Sequence, residues 1–182
     1  LYTRQYTLNW VNSVKLDESW TLGGGADWQR DMLDDSSRSS GVAFPSDADE
    51  RDNTGLYALA QFDNQVWQAE LSGRSDDNEQ FGRHNTWQTG AGWRFVEDYR
   101  LSARYGTGFR APSFNDLYYP GSGNPDLKPE ESKSHELMLD GQTAGVEWRL
   151  TGYRNDFEQM IQWAPDSQGM WTPQNVGKAR IE

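Results

Sequence analysis

Trp87-Gln88-Thr89-Gly90-Ala91-Gly92-Trp93-Arg94-Phe95 is followed, after Val96-Glu97-Asp98, by Tyr99-Arg100-Leu101-Ser102-Ala103-Arg104-Tyr105-Gly106-Thr107-Gly108-Phe109. Reading every second residue separates two lists. Trp87, Thr89, Ala91, Trp93 and Phe95, then Tyr99, Leu101, Ala103, Tyr105, Thr107 and Phe109, carry no charge, whereas the residues between them include Arg94, Arg100 and Arg104. A period of two belongs to a β-strand, whose successive side chains stand on opposite faces. Two such runs with Glu97-Asp98 between them predict an antiparallel hairpin.

The same alternation runs outward through most of the 182 residues. It predicts strands over 4–14, 20–30, 53–63, 65–75, 86–96, 99–109, 132–141, 144–155 and 175–182, with a further piece near 157–163. The expected fold is all-β, an antiparallel up-and-down sheet. Most strands match the roughly 9–11 residues that a tilted strand needs to cross a bilayer, and exceed the 5 or 6 or so usual in soluble domains. The connections alternate in length: Lys15–Ser19, Asn64, Glu97-Asp98 and Gln142-Thr143 are short, while Asp31–Asp52, Asp76–Asn85, Arg110–Glu131 and Ala164–Gln174 are long. Alternate connections of an up-and-down sheet lie on opposite rims. One rim therefore has tight turns and the other long loops, the asymmetry of outer-membrane barrels.

On the other strands the uncharged list continues with Trp20, Leu22, Gly24, Ala26 and Trp28, with Leu56, Ala58, Ala60 and Phe62, with Trp67, Ala69, Leu71 and Gly73, and with Val146, Trp148, Leu150 and Gly152. The opposite list holds Asp27, Glu70, Arg74, Glu136, Asp140, Glu147 and Arg149. Large aromatics fall at the ends of the uncharged face: Trp20, Phe62, Trp67, Phe95 and Tyr99 near the short turns, Trp28, Trp87 and Phe109 near the long loops. An indole or phenol ring is most stable at the headgroup boundary, so two belts around an aliphatic band predict lipid against this face. A soluble β-sandwich binding module, with the apolar face inside, is the other fold that period two allows.

Composition narrows the function. Mean hydropathy is -0.94 and no apolar run approaches the roughly 18 residues of a membrane-spanning helix, but a barrel strand shows lipid only its alternate residues. There is no cysteine, so no disulfide, thiolate metal site or Cys nucleophile is available. A net charge of -11 argues against nucleic acid as a partner. His84 and His135 lie far apart without the spacing of a triad, and no catalytic residue is assigned: the chain is not expected to be an enzyme. Gly23-Gly24-Gly25 sits inside a strand, which marks a close backbone approach rather than a phosphate cradle. Asp47, Asp49, Glu50 and Asp52, and likewise Asp76, Asp77 and Glu79, could take calcium or simply keep loops solvated. Their spacing is irregular, so no metal or cofactor is assigned. The Ser/Asp-rich stretch over 34–52 reads as mobile and solvated.

The most distinctive segment is Arg110-Ala111-Pro112-Ser113-Phe114-Asn115-Asp116-Leu117-Tyr118-Tyr119-Pro120, followed by Gly123-Asn124-Pro125-Asp126-Leu127-Lys128-Pro129-Glu130. Its prolines deny it a regular ladder and stiffen it, and Asn124-Pro125 favours a turn: this is a built loop. The series Arg110, Ala111, Pro112, then Asp116, Leu117, Tyr118, then Asn124, Pro125, Leu127, Pro129, Glu130 resembles the TonB-dependent receptor family at such a strand-loop-strand passage. The runs Arg74–His84 with Thr86–Thr89, Thr143–Arg149, Gly152–Asp156 and Gly177–Ile181 are similar to the outer-membrane cobalamin receptors of that family.

That resemblance covers nearly the whole chain. It implies that residues 1–182 are part of a transmembrane β-barrel domain, about nine strands of a barrel of about 22 with a plugged lumen, in the bacterial outer membrane. Such receptors bind a scarce ligand, here cobalamin or a related corrinoid, at their outer loops and are energised through TonB. A ferric siderophore is the alternative cargo, because the Arg-Ala-Pro series is shared across cargos. No plug domain, TonB-contacting segment or closing strand with a terminal aromatic is readable in these residues, so the nine strands alone are not expected to transport. Outer-membrane lipid and lipopolysaccharide are further expected partners. The motif residues are read as shaping the loop, and no ligand contact is carried over from the family. Tyr118, Tyr119 and Trp171 are the candidate cargo contacts, since aromatics on the long-loop rim suit a large amphipathic ligand; packing within the loop is the other reading of them.

Overall fold

The computed structural model describes residues 3–33 and 50–182. Nine strands form one antiparallel sheet in sequential order. They are β1 (Thr3–Lys15), β2 (Trp20–Leu33), β3 (Glu50–Asp63), β4 (Trp67–Asn78), β5 (Gly82–Val96), β6 (Tyr99–Arg110), β7 (Glu130–Thr143), β8 (Val146–Pro165) and β9 (Trp171–Ile181), with one short helix, α1 (Phe114–Tyr118), before β7. Each predicted strand is present and pairs with its neighbour in the chain, as an up-and-down sheet requires. The sandwich reading fails here, because a sandwich needs two facing sheets and these strands make one.

The strands run farther toward the long-loop rim than the alternation predicted. Asp76–Asn85, expected as a loop, continues the hairpin: β4 reaches Asn78 and β5 starts at Gly82. The separate piece expected near 157–163 belongs to the 20-residue β8, and β9 starts at Trp171 rather than 175, so Ala164–Gln174 is mostly ladder. β3 begins at Glu50 instead of 53. Beyond the apolar band both faces of a hairpin meet water, so the apolar alternation stops while the backbone ladder continues. Of the Ser/Asp-rich stretch, residues 34–49 lie outside the described residues, Asp47 and Asp49 with them; Glu50 and Asp52 are in β3.

The sheet curls, and its curvature assigns the faces. Lys15, Thr21, Gln61, Gln68, Glu70, Ser102 and Arg104, from β1 to β6, line one concavity of about 380 Å³. The ionic face is therefore the inside of the curve. On the convex side Leu56, Leu71, Leu137 and Leu150 are 56–67% exposed. An apolar surface of that continuity marks contact with hydrocarbon.

Both belts are present. Near the short turns the rings form a chain across β4, β5, β6 and β8: Trp67 on Trp93 at 5.4 Å, Trp93 on Phe95 at 5.6 Å, Phe95 on Tyr99 at 6.2 Å and Tyr99 on Trp148 at 5.9 Å, with Trp20 and Phe62 paired at 5.1 Å on β2 and β3. Near the long loops Trp87 meets Tyr105 at 5.0 Å, and Tyr105 meets His135 at 4.8 Å. Trp20 and Trp28 bracket the band on β2, about 26 Å apart along the strand at ~3.3 Å per residue. At the same rim Phe109 stacks face to face on His84, with ring centroids 3.7 Å apart.

That stack sits where the wall parts. β5 and β6 pair as far as Gln88 opposite Gly106. At the next step Thr107 Oγ1 takes over, accepting from the Trp87 N–H at 3.0 Å and donating to the Trp87 carbonyl at 3.4 Å. Above it β5 keeps β4 and β6 keeps β7, leaving a slot between the two hairpins. The close approach expected at the glycine triplet falls on Gly25, where a Cβ would run into the Trp10 carbonyl and the Tyr57 hydroxyl.

Candidate functional site

Among the described residues, the long loop between β6 and β7 is the one region with a core of its own. Its neck is closed by Arg110, the last residue of β6, whose guanidinium forks Glu130 opposite it at 2.6 and 2.8 Å. Glu130 also accepts the Ile161 N–H, which ties the neck to β8. These hydrogen bonds, from Arg110 above all, hold the Glu130 carboxyl below its ordinary range and raise the Arg110 guanidinium in turn. Past the neck, Pro112 is fully buried and Ser113 caps α1 reciprocally with Asp116, each side chain bonded to the other's backbone N–H. The chain then doubles back. The Asn124 N–H donates to the Asp116 carbonyl at 2.9 Å, and Gly123 lies so close to Leu117 and Tyr119 that any Cβ there would collide with their backbone.

Leu117 and Leu127 from the loop meet Ile161 of β8, with Phe81 and Tyr118 packed around them. Polar ties fix the loop to the β8–β9 hairpin. Asp116 accepts from the Trp163 indole at 3.3 Å, Asn124 donates to the Pro173 carbonyl at 3.0 Å, and the Asn175 amide pairs with both backbone groups of Lys128.

On the other side the loop is held by Arg51 of β3. Its guanidinium donates to the Pro112 carbonyl at 2.8 Å, lies 4.9 Å from the Phe114 ring and 5.7 Å from the Phe81 ring, and reaches Asp31 at 3.4 Å. Arg51 is 8% exposed. A buried guanidinium so placed joins three hairpins at one point. Below it, Arg74 bridges Asp27 and Asp76, which stand in one row either side of Gly55. Glycine is required there because a Cβ would occupy the guanidinium's place. The resulting surface is a rigid, aromatic-rimmed shelf at the loop end of the ionic concavity.

Of the motif residues, Arg110 and Glu130 pair at the neck, Leu117 and Leu127 lie in the small core, and Asp116 and Asn124 bond to the β8–β9 hairpin. Of the candidate contacts, Tyr118 is half-buried with its hydroxyl accepting from Gln80 at 2.9 Å. Tyr119 is 45% exposed and stands edge-on to Trp163, and Trp171 is 60% exposed at the tip of the same hairpin. No ring pair joins Trp171 to either tyrosine among the described residues. The acidic residues are dispersed: Asp76 faces Arg74 and Asn53, Asp77 pairs with Arg83, and Glu79 accepts the Asp52 N–H. Among the described residues no three His, Asp or Glu side chains gather for a metal. Sequence reasoning missed Arg51, Phe81, Ile161, Trp163 and Asn175. Arg51 alone left a signal, since it continues the ionic parity of Asn53, Gly55 and Tyr57.

The family model described as "TonB dependent receptor-like, beta-barrel" matches residues 1–182. The chain is 42% identical over 99% of its length to the vitamin B12 transporter BtuB of Photobacterium profundum, of which it covers 29%. Among solved structures, the siderophore receptor PirA from Pseudomonas aeruginosa superposes with a TM-score of 0.82 at 22% identity, over 98% of this chain and 35% of that one. The copper transporter OprC superposes with a TM-score of 0.77 at 15% identity, over 98% and 33%. The chain thus spans about a third of the length of the relatives it matches, and its nine-stranded sheet superposes on the folds of those solved structures. This chain belongs to the TonB-dependent receptor β-barrel family, a family of outer-membrane receptors.

Proposed function

We propose that this wall is part of a receptor that takes up cobalamin across the outer membrane, with the clamped loop forming part of the outer cargo surface. The observation that carries the reading is the 42% identity to a vitamin B12 transporter over 99% of the chain, loops included. The solved relatives that carry other cargos share only 15–22% of their residues with this chain, a similarity of fold. In this reading the concave ionic face meets a plug domain of the full-length protein, and TonB supplies the energy for release. Tyr119 and Trp171 present exposed ring faces to the corrin's apolar edges, while Tyr118 braces the shelf from within.

The test is uptake of labelled cobalamin by cells that produce the full-length protein as their sole corrinoid route. Uptake that requires TonB and is competed by unlabelled cobalamin supports the reading. Competition by a ferric siderophore, with no cobalamin uptake, would reassign the cargo. Tyr119→Ala and Trp171→Ala should each weaken cobalamin binding by about fivefold to tenfold, the scale of losing one apolar ring contact.

A further inference from the structure

The tip of the β6–β7 loop and the tip of the β8–β9 hairpin make one surface. Cross-strand register sets Trp163 opposite Pro173 and Pro165 opposite Trp171. Because alternate residues of a strand share a face, Ile161, Trp163, Pro173 and Trp171 stand on one side of the hairpin, the side on which Ile161 meets Leu117 and Leu127. Tyr119 of the loop stands edge-on to Trp163, with ring centroids 5.9 Å apart. The two tips thus form a ledge of rings that ends at the exposed Trp171.

The ledge carries no cation. Neither stretch that builds it, 117–125 or 161–175, contains a lysine or arginine, although the chain has 17. Its asparagines are already matched within the protein. The Asn124 amide donates to the Pro173 carbonyl at 3.0 Å and accepts the Asp126 N–H at 3.1 Å, and the Asn175 amide is spent on Lys128 and the Gln159 carbonyl. Asp166 turns one carboxylate oxygen to the N–H groups of Gln168 and Met170. The charged groups around the ledge do not supply what it lacks. Asp116 lies beneath the Trp163 indole with Arg110 at 3.9 Å, and that guanidinium is forked to Glu130. Asp126 is exposed on the loop. Lys128, also exposed, lies past Leu127 beside Asn175, one step below Pro173 on that face.

We propose that this ledge selects its cargo by charge: it takes a corrinoid face edged with neutral amides and rejects the same face bearing a carboxylate. The inference rests on the cargo reading above and adds to it the feature that the site discriminates. A neutral amide lies against the rings and keeps its water at the rim. A carboxylate in the same place loses water without gaining a cation, and the carboxylates of Asp116 and Asp166 behind the rings repel it. Discrimination of this kind comes from the penalty on the wrong ligand, and it needs no extra contact to the right one.

The experiment titrates the full-length protein at pH 7 with cyanocobalamin and with its monocarboxylates, in each of which one peripheral propionamide of the ring is hydrolysed at almost unchanged size. At least one monocarboxylate should bind about tenfold more weakly than cyanocobalamin. Ser122→Lys sets an ammonium beside Tyr119, whose carbonyl accepts the Ser122 N–H, and should narrow that ratio by about threefold or more. Glu18→Gln adds the same unit of charge at the short-turn rim and should leave the ratio as it is. Cyanocobalamin binding by each variant reports that it has folded, and the wild-type ratio needs no variant. Equal affinity for all the monocarboxylates overturns the charge selection and leaves the cargo reading standing. So does a ratio that Ser122→Lys does not narrow, or that Glu18→Gln narrows equally, since the discrimination would then lie outside the ledge. Failure of cyanocobalamin itself to bind removes the cargo reading and this inference with it.

Discussion

The middle of the wall and the loop above it solve the same problem in opposite ways. Between the belts, Leu56, Leu71, Leu137 and Leu150 stand open on the convex face, and among the described residues no buried cluster backs them. Their burial is supplied by lipid, and the backbone ladder and ring chains set the geometry. In the loop, Leu117 at 1% exposure, Leu127 and Ile161 are buried by protein, and the polar groups around them are taken up by Arg51, Asp116, Asn124 and Asn175. One region has its interior outside itself, and the other has built a small soluble core at the membrane's edge.

The largest effect expected from this contrast is at Arg51. Arg51→Met leaves the Pro112 carbonyl without its donor and takes the cation from Asp31, which among the described residues keeps the Gln5 and Gln29 amides, and loss of one partner from a buried charged set costs about 3–5 kcal/mol. Hydrogen exchange of the α1 amides in the full-length protein should quicken accordingly while the β4 ladder stays protected. Unchanged α1 amides would show that the loop closes without the guanidinium. Leu117→Ala should cost about 2–5 kcal/mol of the same local stability, because a protein-lined cavity remains. Its counterpart Leu71→Ala should cost less than about 2 kcal/mol, read from the folding of the full-length protein into lipid vesicles, since acyl chains flow into the space. Equal losses at the two leucines would erase the distinction.

Leu71→Arg tests the facing directly. A cation at the bilayer midplane costs about 2–4 kcal/mol in barrels, again read from vesicle folding, whereas a position facing water would tolerate it. Gly55→Ala should cost about 1–3 kcal/mol by forcing Arg74 from between Asp27 and Asp76, measured by denaturant unfolding of the full-length protein.

The smallest effect is one of pH. Glu130 is held below its ordinary value of 4.5, so its contribution to the neck is complete above that value and is lost as pH falls through the lower folded value. Exchange of the Ile161 amide, corrected for intrinsic rates, should rise below pH 4.5 and become flat with pH in Glu130→Gln. A rise that persists in the variant would assign it to another carboxyl.

The candidate site was legible in part. Prolines, Asn124-Pro125 and the Arg110 to Glu130 series announced a built loop, and Leu117 and Leu127 prove to be its core. What they pack against was not legible, because Phe81 lies in a segment that read as a loop and Ile161 in the separate piece near 157–163, and period two does not say which distant segment meets the loop. Thr107 gave no warning of the parting at β5 and β6, since a threonine in a strand ordinarily pairs through its backbone.

Alternation alone determined which residues share a face and which rim bears the long connections, because a strand sends successive side chains to opposite sides wherever it is placed. It could not determine which face lies inside, how far the hairpins rise beyond the bilayer or what closes the loop. Those depend on the direction in which the sheet curls and on contacts between residues tens of positions apart, such as Arg51 with Pro112. Period two carries no information about either.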